Sequence, residues 1–100
     1  MKPRLRIYKE KYLRWEGRGW WVEMAPATLP ARTFGELGWD QLPRVQEFCR
    51  RLFGNKVPPH FFGVGAWMKE PPSAEEIHQW ADELGIEVDC VWADPEPDWD

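Results

Sequence analysis

No apolar run in this chain approaches the roughly 20 residues that a membrane-spanning helix requires. The basic opening "MKPRLRIYKEK" leads into no apolar signal region, so the expected compartment is a reducing cytoplasm with both thiols free. Serine is almost missing: Ser73 stands alone, and cysteine is limited to Cys49 and Cys90. With His60 and His78, these cysteines are spaced eleven to eighteen residues apart, without the close pairs of a structural zinc site. Two core thiols, one loop histidine and one helix-surface histidine are expected, and no metal. Both cysteines fall on apolar stripes, which predicts buried, protonated, unreactive sulfur. Ser73 is assigned to a helix cap, so no nucleophile is left for hydrolysis. The paired carboxylates Glu75 with Glu76 and Asp82 with Glu83 are sequence neighbours on a helix and point apart. "GVG" at 63–65 lacks the third glycine and the following helix of a dinucleotide fingerprint; it is expected to admit Trp67 or Trp92 closely. These absences predict no catalytic residue, no cofactor and no enzyme.

What is present is indole. Eight tryptophans stand in 100 residues, each able to bury on the order of 200 Å². A single domain over 1–93 with an acidic, flexible tail at 94–100 is the expected organisation. Charge is unevenly placed. Residues 1–56 hold twelve Lys and Arg against six Asp and Glu, whereas residues 57–100 hold one against eleven. Such halves offer two electrostatically distinct surfaces to partners.

Leu5, Ile7, Leu13 and Trp15 share one side of a two-residue period, with Arg4, Arg6, Tyr8, Tyr12 and Arg14 on the other. "EGRG" then reads as a turn and "WWVEM" as the returning strand, with Trp20, Val22 and Met24 in phase. A short strand around 31–34 is an option. Asp40 is the expected N-cap of a helix with Pro43 in its first turn; Leu42, Val45, Phe48, Cys49, Leu52 and Phe53 mark its face, and Gly54 stops it. "FFGVGAWM" reads as a strand with Phe62, Val64, Ala66 and Met68 together. Ser73 and Glu76 form a capping box for a helix that buries Ala74, Ile77, Ala81 and Leu84, is flanked by Trp80 and ends at Gly85. Ile86, Val88, Cys90 and Trp92 then alternate inward. The order β-β-α-β-α-β predicts an α+β fold: a small mixed sheet with two helices on one face.

The stretch "RWEGRGWWVEM" raises the functional question. Trp20 and Trp21 are adjacent in a strand and must point to opposite faces. Trp20, with Val22 and Met24, is expected to face the helices. Trp21 is expected outside, near Arg18 and Arg14, as an interface anchor. Phe34, Trp39, Phe61 and Trp67 would extend that patch. The alternative is that the 26–39 loop covers the second face and the indoles are packing. The first reading is therefore a non-enzymatic binding module whose partner is a host protein. A second uses Arg4, Arg6, Tyr8, Tyr12 and Arg14 as a nucleic-acid surface, rings stacking bases and cations meeting phosphates. A third makes the hairpin a homodimer contact.

Two resemblances bear on this. "KPRLRIYKEKYLRWEGRGWWV" resembles the opening of short orphan proteins encoded by phages of actinobacteria, which implies an accessory protein that acts on a host protein. "GWWVEMAPATLPARTFGELGWDQLPRVQEFCRRL" is similar to the strand, irregular link, turn and helix of HicB-like antitoxins. The family's Gly-x-Thr appears here only as Arg32, Thr33, Phe34 and Gly35, and no DNA-binding element follows. That likeness implies sheet-plus-helix geometry and no functional residue.

Overall fold

A computed structural model describes residues 2–92, with the side chain of Trp92 left out. Alternation builds the sheet. In β1 (Arg4–Lys11), Leu5 and Ile7 are fully buried; in β2 (Trp20–Pro26), Trp20, Val22 and Met24 are buried with them. The two strands pair antiparallel, from Leu5 opposite Pro26 to Lys11 opposite Trp20. On the other side of β2 runs β3 (Val64–Met68), also antiparallel, and on the other side of β1 runs β4 (Glu87–Trp92), parallel. The sheet is thus four-stranded and mixed, in the order β3-β2-β1-β4. Among the described residues three helices join it: α1 (Phe34–Leu37), α2 (Pro43–Phe53) and α3 (Ala74–Leu84), with a 3-10 turn at Trp39–Gln41. Val45, Phe48, Cys49 and Leu52 of α2, with Ile77 and Ala81 of α3, close over the inner side chains of the sheet. The fold is α+β, as the sequence predicts, with one short helix more than expected. No helix among the described residues is long and apolar enough to cross a membrane.

Local chemistry explains where the chain departs from the sequence reading. Residues 31–34 form no strand, because Thr33 caps α1. Its hydroxyl accepts the Glu36 N–H at 3.1 Å, and the Glu36 carboxylate accepts the Thr33 N–H at 2.9 Å. These bonds hold the Glu36 carboxyl below its usual range. Asp40 is not the cap of α2. It lies inside the 3-10 turn, and Leu42 occupies the cap position with no side-chain bond, while Pro43 opens the helix as expected. Ser73 caps α3 by accepting the Glu76 N–H at 3.1 Å. Strand β3 starts at Val64 and excludes Phe62, since the chain just before it serves α1 instead: Phe61 O accepts the Phe34 N–H. Cys49 is buried as expected, and burial pushes its thiol up to about 11. Cys90 is only half-buried, because β4 is an edge strand. The expected inward Trp92 side chain and the acidic tail lie outside the described residues.

Candidate protein-binding surface

The face of the sheet turned away from the helices is built in rows across the strands. Glu10, Trp21 and Trp67 form one row; Val91, Tyr8, Glu23 and Gly65 form the next; Asp89, Arg6 and Ala25 form a third. Trp20 and Trp21 do split: Trp20 is 7% exposed in the core and Trp21 is half-buried on the outer face. No segment of the 26–39 loop lies among the side chains that line the Trp21 cleft described below.

Trp21 is nevertheless not a free indole. Its Nε1 donates to Glu23 at 3.0 Å, and its ring meets that of Tyr12 at 6.5 Å. The benzo edge lies over Gly65, where a Cβ would come within 2.4 Å of Trp21 Cζ2. Trp67 repeats the device in the opposite direction. Its indole crosses β2 over Gly19, where a Cβ would also meet it at 2.4 Å, and Nε1 donates to the Tyr12 carbonyl at 2.9 Å. Each ring therefore uses a glycine of a neighbouring segment as its floor, Gly65 within β3 and Gly19 just ahead of β2. The sequence reading placed Trp67 or Trp92 beside "GVG"; it is Trp21 that rests on Gly65. Arg14 lies over the Trp67 ring, 5.1 Å from its centroid, and also pairs with Glu16 at 2.8 Å. Glu10, Tyr12, Arg14, Trp21 and Trp67 line a cleft of about 340 Å³.

Beyond Lys11 and Trp20 the hairpin runs on past the end of β3 as a free arm. Tyr12 N–H donates to Gly19 O, and Arg14 and Gly17 exchange two backbone bonds of 3.1 and 2.9 Å. The turn is therefore Arg14 to Gly17, two residues earlier than "EGRG" suggests, with Trp15 and Glu16 at its corner. Gly17 takes a φ of +122°, which side chains rarely tolerate, and so fixes that register. Leu13 keeps the alternation of β1 but, like Trp15 at the corner, lies on the arm past the four-stranded sheet, and the two project at 71% and 89% exposure. The sequence signal for this was Gly17 itself, because a hairpin centred on 15–16 puts Gly17 just after the corner.

Other expected site residues are not at this surface. Phe34 and Trp39 are core, at 0% and 9% exposure, because the capping of α1 turns both under the sheet. Arg18 is exposed on the hairpin arm. The residues of the nucleic-acid reading share the outer face in part. Arg4 is bound by Asp89 through two hydrogen bonds, which lower the Asp89 pKa and raise that of Arg4. Tyr8 donates to Glu10 at 3.0 Å, Arg6 is exposed, and Tyr12 and Arg14 lie past the strand. Four carboxylates, Glu10, Glu23, Glu87 and Asp89, stand on the same face. No group of three or more His, Cys, Asp or Glu side chains among the described residues could hold a metal ion.

Comparison with protein-family models, with curated proteins and with solved structures finds no match. The surface must be read from its own chemistry.

Proposed function

We propose that this chain is a protein-binding module whose anchor is the hairpin arm, with Trp15 and Leu13 as the inserted side chains. The observation that carries this reading is the 89% exposure of Trp15, next to Leu13 at 71%, on an arm closed by backbone hydrogen bonds. Covering about 150 Å² of such a ring returns roughly 4 kcal/mol before association costs. Left in water, the same side chain contributes nothing to the fold. Arg14 and Glu16 flank it, a polar rim around an apolar centre. The Tyr12, Trp21 and Trp67 cluster sits at the base of the arm and braces it. The anchor thus moves from Trp21 to Trp15 relative to the sequence reading. The partner class remains a host protein if the chain is an accessory protein of a phage.

A protein partner is favoured over nucleic acid by the four carboxylates on the outer face. Phosphate binding draws its strength from unpaired cations, and here Arg4 is already engaged by Asp89. The test is position-specific photo-crosslinking. A photoreactive phenylalanine at position 15 is expected to trap one protein in the source cell, resistant to nuclease treatment. The same group at Gln79, exposed on α3, is expected to trap none. Equal products from both positions, or a nuclease-sensitive product, count against the reading.

A further inference from the structure

The two edges of the sheet differ in kind. Strand β4 carries Glu87 and Asp89, charges of the sort that discourage edge-to-edge pairing. Strand β3 carries none. From Phe61 to Met68 the chain reads "FFGVGAWM", eight residues without a charge or a proline, and β3 pairs only with β2 among the described strands. Its Trp67 side chain reaches back across β2, away from the free edge. Its inward residues Val64, Ala66 and Met68 are only half-buried, unlike their partners Val22 and Met24. Beside them runs a groove of about 360 Å³ whose lining includes Phe53, Lys56, Phe61, Val64 and Ala66. Phe61 and Phe62 stand 57% and 58% exposed next to it.

We infer that β3 is the pairing edge of a homodimer, in which a second copy adds its own β3 antiparallel about a two-fold axis at Ala66. This register pairs all five residues of the strand. Val64 lies opposite Met68 of the partner subunit, Gly65 opposite Trp67 of the partner subunit, and Ala66 opposite Ala66 of the partner subunit. An isologous contact of this kind extends the sheet to eight strands and covers the half-buried inward row on both copies. Charge selects the same arrangement. Lys56 borders the groove beside Gly63 and Val64. The antiparallel direction carries Glu70 of the partner subunit past Met68, toward Phe62 and this Lys56. The symmetry makes the pair twice, and Lys56 and Glu70 are both exposed in the single chain. The contact is separate from the hairpin arm, so a partner on Trp15 and a second copy on β3 can be held together.

Sedimentation equilibrium of the full chain tests this, with far-UV circular dichroism confirming the fold of each variant. The wild type is expected to show a concentration-dependent dimer. Lys56→Glu and Glu70→Lys are each expected to weaken it about tenfold, by placing two like-charged pairs in the contact. The double variant is expected to recover wild-type association. Ala66→Cys should give a covalent dimer under mild oxidation, since directly opposed strand residues have Cα atoms about 4.5–5.5 Å apart, within disulfide range. Lys69→Cys, far from the axis, should not, and neither should the wild type with its native thiols. A wild type that stays monomeric to about 1 mM overturns the assignment. So does a double variant as weak as the singles, or a dimer that Trp15→Ala abolishes and the charge variants leave intact.

Discussion

The two faces of β2 hold the same residue type side by side and use it in opposite ways. Trp20 enters a core of buried apolar side chains; on the rim Lys9 Nζ stands 4.3 Å from its ring. Burial depresses that ammonium. Trp21, one residue on, lies flat on Gly65 and has its N–H bonded to Glu23. One indole is held by enclosure, the other by a glycine floor and a hydrogen bond. A third indole, Trp15, has neither support among the described residues. The difference teaches that tryptophan content alone does not mark an interface: of the three hairpin indoles, one builds the core, one braces the arm, and one stands exposed at the turn.

This contrast can be broken by truncation. Trp20→Ala is expected to cost roughly 3–5 kcal/mol in denaturant unfolding, as a core deletion. Trp21→Ala is expected to cost only about 1 kcal/mol, since its ring is half in water and one hydrogen bond to an accessible carboxylate is lost. Equal costs for the two would mean that the outer face is a second core.

The glycine floor sharpens the comparison. Gly65→Val places a side chain where the Trp21 ring now lies and is expected to destabilise by roughly 1–3 kcal/mol. In the Trp21→Ala background the same change is expected to cost far less, a coupling that a double-mutant cycle measures directly. Independent, additive costs would show that the close contact carries no energy.

A smaller effect belongs to the helices that cover the other face. Arg50 and Arg51 hold the Glu47 carboxyl down to about 2, from an ordinary value of 4.5. A depressed acid stabilises the folded chain above its ordinary pKa, and that contribution is lost as pH falls toward the folded value. Stability should therefore decline between about pH 4.5 and 2, and Glu47→Gln should flatten part of that decline. The carboxylate is partly exposed and its arginine partners reach into water, so screening should keep the flattening slight. A steeper acid transition in Glu47→Gln would reverse the sign and reject the ion pairs.

The fold was legible because its signals were periodic and local. Alternation in residues 4–8 and 20–24, the stripe of α2 and the Ser73 cap each followed from spacing alone. The site was less legible, for three physical reasons. The turn register depended on one positive φ at Gly17, which a count of turn-forming residues in "EGRG" does not locate. The fate of Phe34 and Trp39 depended on Thr33 capping a four-residue helix, too short to show periodicity. The roles of Gly19 and Gly65 depended on which tryptophan crosses which strand, and that is set by sheet order. The acidic character of the outer face was equally hidden, since Glu23, Glu87 and Asp89 come from strands that only the fold brings beside Arg4 and Arg6.

The central claim is that Trp15 is exposed for a partner's sake. Its most direct test is a paired measurement on Trp15→Ala: unfolding free energy in denaturant, and affinity for the protein trapped by cross-linking at position 15. The account predicts stability within about 0.5 kcal/mol of wild type, and affinity weakened by about 2 kcal/mol or more. A variant that binds as tightly as wild type, or that loses several kcal/mol of stability, contradicts it.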